Sequence, residues 1–260
     1  MAGVANIGND INWCGHPFAQ SNWYALGRLS WNYDLSSEAI AREWVKQTFT
    51  NNPGFVDAIV PMMLNSRETT VSYSMPMGLH HLMTYGNHYG PAPWVDKGAR
   101  PDWTNVYYHK ADSLGIGFDR TRTGSNALGQ YQPEARKQWE NPDICDEKYL
   151  LWFHHVPWTK KLADGQTLWE KLCEHYYSGQ QKVTKMRELW NLQKPFVDDR
   201  RFTQVAMYLK MQEDEAIWWR ESCLLYFQTF SHLPIPAKYP VPIKSLDYYK
   251  QLKFPYAPGN

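Results

Sequence analysis

Residues 198–232 read DDRRFTQVAMYLKMQEDEAIWWRESCLLYFQTFSH, a run with no glycine or proline. The two residues that break helices most strongly are missing, so the run predicts one long helix. Phe202, Val205, Leu209, Ala216, Trp219, Cys223, Tyr226 and Phe230 recur in it at near-heptad spacing. That stripe fits a core face and a subunit interface equally well, since spacing alone does not separate them.

Working back from this run, more helices follow. Thr167-Leu168-Trp169-Glu170 has the form of a capping box, in which a hydroxyl and a carboxylate reciprocally cap a helix start. Asn141-Pro142 resembles an N-cap followed by proline at the first helical position. Pro53 opens a helix carrying Phe55, Val56, Ile59, Val60 and Met63, and Pro61 is expected to kink or split it. Ser36 or Ser37 caps a helix running to Phe49, with Glu38 in its first turn and a stripe of Ile40, Ala41, Trp44, Val45, Thr48 and Phe49. A further helix is expected from about Phe18 to Trp31. Beyond the long run, residues 233–260 hold six prolines and several tyrosines, which suggests an extended tail over the helices.

The start of the chain differs. Gly3-Val4-Ala5-Asn6-Ile7-Gly8 is a short apolar run between glycines, fit for a buried strand. A lone strand is not stable, so its partners are expected in sequence upstream of this chain. Strand, then the polar turn Asn9 to Pro17, then helix, reads as the last unit of a βα architecture. The loop after the strand's carboxyl end is where such units meet ligands. Asn12, Trp13 and His16 sit in that loop, as ligand contacts or as loop packing.

Residues 75–130 are rich in Gly, Pro, His and aromatics and have little periodicity. So long an irregular stretch is unusual in a compact domain, and this one is too aromatic for disorder. It predicts an ordered loop system that serves function. Across the chain the aromatic share is 15%, with 13 Trp, 17 Tyr and 10 Phe. Rings fill cores, but flat indoles also stack on the apolar faces of sugar rings.

Composition excludes several classes. A formal net charge of +1 argues against nucleic-acid binding. No stretch reaches the roughly 18 apolar residues of a membrane span. MAGVANIG lacks the basic-then-apolar pattern of a signal peptide, which leaves the compartment open between cytoplasm, periplasm and secretion. Cys14, Cys145, Cys173 and Cys223 form no Cys-x-x-Cys pair and read as free thiols.

Known chemistries find little support. His80, His81, His88 and His109 lack metal-ligand spacing, so no metal is assigned and a metal-dependent enzyme rests on these histidines alone. Gly115-Ile116-Gly117 is too short for a nucleotide motif, and no cofactor is assigned. Glu68, Asp112 and Asp119 lie near the loop system. An Arg67–Glu68 ion pair is the bland reading of the first, and loop orientation through backbone N–H groups that of the other two. Nothing marks the acid–base pair that glycoside hydrolysis needs.

Seven segments together carry a resemblance. They are Ala2 to Gly8, Gly15 to Gln20, Ser66-Arg67-Glu68, Met75 to His81, His88-Tyr89-Gly90-Pro91-Ala92-Pro93-Trp94, Ala111 to Arg120, and Lys148 to Trp158. The chain resembles, over nearly its whole length, the carboxyl-terminal region of glycoside hydrolase family 67 α-glucuronidases. The resemblance implies a mainly α fold: residues 1–33 as the final strand, loop and helix of a (β/α)8 barrel, and 34–260 as a helical carboxyl-terminal domain whose loop system at about 75–130 faces the active site. It implies an inverting enzyme that removes α-1,2-linked glucuronic acid, or its 4-O-methyl form, from glucuronoxylan-derived oligosaccharides. It implies a homodimer, partnership with the upstream amino-terminal domain and barrel, and catalytic carboxylates on barrel strands before Gly3, with none in this chain. Family enzymes sheathe the sugar's methoxyl with a carboxyl-terminal Trp. Trp94 matches best and Trp103 second, beside Asn12, Trp13 and His16 as the other substrate contacts. Arg67 and Arg120 are possible carboxylate helpers, or structural, salt-bridged arginines. The rival expectation is a stand-alone carbohydrate-binding or dimerisation module without catalysis.

Overall fold

The structure, a computed structural model, describes residues 14–253. The strand expected at Gly3–Gly8, together with Asn12 and Trp13, lies outside the described residues. What is described is mainly helical: α1 Gln20–Trp31, α2 Ser37–Thr48, α3 Pro53–Ser74, α4 Asn105–His109, α5 Pro133–Trp139, α6 Leu150–Phe153, α7 Leu168–Asn191, α8 Asp199–Ser231 and α9 Leu246–Gln251. Two short strands, β1 Gly115–Ile116 and β2 Val156–Pro157, pair antiparallel with Ile116 opposite Val156.

Local chemistry explains the helix starts. Ser36 Oγ accepts from Ala39 N at 3.2 Å and starts α2. At α7 the reciprocal box forms: Glu170 N donates to Thr167 Oγ1 at 3.3 Å, and Thr167 N donates to Glu170 Oε2 at 2.7 Å. Such a cap contributes about 1 kcal/mol. Pro61 does not split α3, which runs on through it. Proline removes one hydrogen bond to the carbonyl of Asp57, and Asp57 and Pro61 both lie on the exposed side of the helix. The Asn141-Pro142 reading is corrected. Residues 141–145 form a turn. Asn141 Oδ1 accepts from Asp143 N at 2.9 Å, and Asp146 caps a separate 3-10 turn at Glu147–Tyr149. The Asn and Asp side chains here compete with helical bonding and win.

The chain divides into two compact units. The first holds residues up to Thr69 together with Lys182–Asp214. Its core packs Trp44, Val45, Phe55, Ile59, Trp190, Val205 and Leu209. Phe49 sits between Trp44 and Phe55, 5.6 Å from each ring. Trp190 stacks on Phe202 at 5.9 Å, and its Nε1 donates to the carbonyl of Phe202 at 3.0 Å. Arg28 bonds Glu43 at 2.8 Å and joins α1 to α2.

The second unit holds Thr70–Gln181 and Glu215 onward. Here α7 lies against the end of α3 at Gly179, where a Cβ would come within 2.6 Å of Tyr73 N. Only a residue without a side chain allows the two backbones so close. Tyr176, fully buried, donates to the carbonyl of Ser74 at 3.2 Å. Part of the Pro-rich tail crosses this unit in extended form, while residues 246–251 of it form α9 instead and 254–260 lie outside the described residues. Trp169 Nε1 donates to the carbonyl of Pro234 at 2.9 Å, and Tyr239 stacks on Tyr177 at 4.3 Å and 5°.

The stripe on α8 faces inward. Val205, Leu209, Ala216, Trp219, Cys223 and Tyr226 are all buried. That places the stripe in the core. Among the described residues no helix is long and apolar enough to cross a membrane.

Candidate functional site

Residues 79–120 have little regular structure but a dense set of specific bonds. Ala92 N donates to the carbonyl of Leu82 at 2.7 Å. Asn105, buried, donates from Nδ2 to Met83 and Ala92 carbonyls at 2.8 and 2.5 Å. Gly117 N donates to His109 at 2.6 Å, Phe118 N to Leu151 at 3.1 Å, and Arg120 N to Phe153 at 2.9 Å, in each case to the carbonyl oxygen. Met77, His81, His88, Lys110 and Asn126 hold positive φ without being glycine. Such backbone costs about 1 kcal/mol or more per residue and persists where the surroundings impose it.

His109 is the pin of this system. Its Nδ1 accepts from Ala111 N at 2.9 Å, so its Nε2, 2.9 Å from the carbonyl of Pro93, carries the proton and donates. Both nitrogens are spent and the ring is neutral. Burial lowers its pKa to about 4, with nearby Lys110 adding to the effect and the bond to Pro93 opposing it. The unfolded ring titrates near 6.5, so the stability this group contributes is present above that value. It is lost as pH falls through 6.5 towards 4. Between pH 7 and 4.5 the loss should be roughly 2 kcal/mol. Urea titrations at the two pH values check this. A His109→Gln variant, with nothing to protonate, should lose correspondingly less on acidification. Equal losses in both proteins would reject the assignment.

Trp94 follows a rigid, buried Pro91-Ala92-Pro93 and is itself half-buried. Its indole meets Tyr226 edge-on at 6.3 Å, and the Lys250 ammonium lies 6.0 Å from the ring centroid. Trp103 is 47% exposed, with Arg100 5.8 Å from its ring. The Trp103 carbonyl lies 3.3 Å from Nε2 of His81. His16 is in the first unit, where Nδ1 accepts from Phe18 N at 3.0 Å and the ring packs on Tyr208 at 4.8 Å. Burial lowers its pKa. It lines a mostly apolar cavity of about 420 Å³ with Phe18, Trp44, Met62, Tyr208 and Leu209.

The carboxylates named from the sequence have structural jobs. Glu68 pairs with Arg67. Asp112 Oδ1 accepts from Leu114 N and Gly115 N at 2.8 and 3.0 Å. Asp119 Oδ1 accepts from Thr121 N at 2.9 Å, and Oδ2 accepts from Thr123 Oγ1 at 2.7 Å. Burial pushes the Asp119 carboxyl up, but bonds from Thr121 and Thr123 outweigh it and hold the group below its usual range. Among the described residues no group of three or more His, Cys, Asp or Glu is placed to hold a metal.

Arg120 departs from the ion-paired role. It makes no ion pair among the described residues. Instead its buried guanidinium lies 3.7 Å from the ring of Trp152 and 4.3 Å from that of Phe118, and donates to the carbonyl of Trp152. Trp152 belongs to a ring cluster that sequence spacing does not show. Tyr108 is 6.3 Å from Trp152 with planes 15° apart. His80 lies 5.6 Å from Tyr108 and 5.4 Å from Trp152, and His81 lies 5.0 Å from Tyr108. The only hint in the sequence is the aromatic density of the segments around residues 80, 108 and 152.

Comparison with known proteins fits this picture. Residues 14–240 match the family described as Glycosyl hydrolase family 67 C-terminus. The chain is 35% identical over 237 residues to alpha-glucuronidase A of Emericella nidulans, covering 90% of this chain and 27% of that protein. It is 33% identical over 237 residues to the alpha-glucuronidase of Hypocrea jecorina, with the same two coverages. Against alpha-glucuronidase A of Aspergillus tubingensis the identity is 31%, covering 90% of this chain and 28% of that protein. The chain thus spans about a quarter of the length of these curated relatives.

Proposed function

The chain belongs to glycoside hydrolase family 67, in the family's carboxyl-terminal region, and on that premise we propose that it is the carboxyl-terminal part of an inverting α-glucuronidase. The whole enzyme removes α-1,2-linked glucuronic acid or its 4-O-methyl form from xylooligosaccharides. Its catalytic carboxylates lie upstream, in a barrel whose final unit is residues 1–33. Residues 34–260 supply an active-site wall and a homodimer surface.

One observation carries the wall: Trp94 stands half-exposed at the end of two buried prolines, on a segment that Asn105 and His109 tie down through side-chain bonds. A ring held this way needs little ordering when a sugar arrives, so most of its contact energy goes into binding. An indole face suits the apolar C–H groups and the methoxyl of the uronate.

The test joins this chain to an upstream family barrel and compares Trp94→Ala with the parent. Losing the ring should lower kcat/KM on methylglucuronoxylooligosaccharides by roughly tenfold to a hundredfold, the equivalent of about 1–3 kcal/mol. Trp94→Phe should retain more. Unchanged kinetics for Trp94→Ala would remove Trp94 from the site.

A further inference from the structure

We propose that Tyr108, Trp152, His80 and His81 form a binding platform for an acidic oligosaccharide, one that carries a carboxylate beside its pyranose rings. The saccharide class rests on the family reading above. The platform itself rests on three observations in the second unit.

The first is access. His80 is exposed, and Tyr108, Trp152 and His81 are half-exposed, although all four rings touch one another in series. Rings that pack together yet stay open to solvent leave apolar area uncovered. Flat ring faces of this kind stack on sugar C–H faces.

The second is charge. Arg120 is buried against Trp152 and Phe118, and no carboxylate pairs with it among the described residues. A buried cation without a counter-charge is costly, and an anion placed nearby relieves that cost. The groups that perturb His80 point the same way. Its ring is covered on the side of Tyr108 and Trp152 and open on the other, and this partial loss of solvent comes first in lowering its pKa, followed by the positive charges of His81 and Arg120, with no carboxylate opposing them. A ligand carboxylate would supply the missing negative charge. Neutral xylan chains offer only the stacking.

The third is rigidity. His81 is held at φ 58°, and Gly78 at φ 87° packs so close to the Trp152 backbone that a Cβ would lie 2.9 Å from Trp152 N. The two sides of the platform are therefore fixed to each other through backbone. An aromatic, cationic surface could also suit single-stranded nucleic acid. The formal net charge of +1 supplies no basic surplus for a phosphate backbone, which favours the saccharide.

Calorimetric titration of the full chain tests this, with circular dichroism to confirm that each variant is folded. The acidic probe is xylotriose bearing one glucuronic acid, and the neutral probe is xylotetraose. At pH 5.5 the acidic probe should bind about tenfold tighter than the neutral one. Its affinity should fall as pH rises to 8, because His80 loses its proton while Arg120 keeps its charge. Tyr108→Ala should weaken both probes about tenfold, while Tyr108→Phe, which keeps the ring, stays within about twofold. His80→Gln should weaken the acidic probe more than the neutral one, since it removes a charge as well as a ring. Equal affinity for the two probes, no effect of Tyr108→Ala in a folded chain, or tighter binding of a single-stranded oligonucleotide would each overturn the platform. Its failure is separable from that of the wall. If Trp94→Ala slows turnover while Tyr108→Ala leaves saccharide binding intact, the wall stands and the platform falls.

Discussion

Replacing Gly117 with alanine should destabilise the chain by about 4 kcal/mol or more, enough to lower its melting temperature by roughly 10 °C. Two independent costs add. Gly117 sits at φ +107°, where an L side chain is strained whatever the space around it. A Cβ there would also lie 2.0 Å from the carbonyl oxygen of His154 and 3.0 Å from that of Leu151. Both are backbone atoms, so no rotamer change relieves the clash. Moving the Leu151 carbonyl would disturb the bond it accepts from Phe118 N at 3.1 Å. A thermal melt followed by far-UV circular dichroism checks this. A midpoint within about 2 °C of the parent would mean that the 109–120 segment is far more compliant than its bonds imply.

The second large effect is expected at Glu221. Its Oε1 accepts from Arg220 at 2.9 Å and its Oε2 from the Tyr249 hydroxyl at 2.5 Å. Arg220 also donates to Gln180 at 2.8 Å and lies 4.5 Å from the ring of Tyr177. Arg220 and Glu221 are both buried. Glu221→Leu strands a guanidinium in the interior, at a cost of about 3–5 kcal/mol. Arg220→Met strands the carboxylate instead and should cost a similar amount. Combining Arg220→Met with Glu221→Leu removes both charges, so the double variant should be more stable than the sum of the two losses by at least about 2 kcal/mol. Urea melts of the three variants complete the cycle, and strictly additive losses would refute the pairing as the source.

The long helices are legible in the sequence because their determinants are local. Thr167 and Glu170 stand three residues apart, and the box they form is the one observed. The apolar stripe on α8 shows that one face is buried, but only packing shows that it lies in the core. Local signals fail where several compete. Asn141-Pro142 has the form of a helix start, yet the polar side chains at 141 and 146 draw the backbone into turns. Pro61 has the form of a break, yet an exposed proline costs α3 one bond and no more. The loop system is legible as ordered and aromatic, because a segment that polar and irregular needs specific bonding to stay in place. Its partners are not. His80, Tyr108, Arg120 and Trp152 are brought together by chain closure over dozens of residues, which no periodicity encodes. Arg120 illustrates the limit: an arginine in sequence suggests a carboxylate partner, and the fold supplies two rings and a carbonyl instead.

The tail has an optical consequence. Tyr177 and Tyr239 face each other at 4.3 Å and 5°, one on α7 and the other in the Pro-rich segment. Two identical chromophores that close couple their transitions, and their fixed, asymmetric surroundings give the pair a near-ultraviolet dichroic signal of its own. Tyr177 also donates to the carbonyl of Pro240, so the signal depends on the segment staying down. A change in that band with the far-ultraviolet spectrum constant would mark the moment at which the tail peels away while the helices beneath it persist.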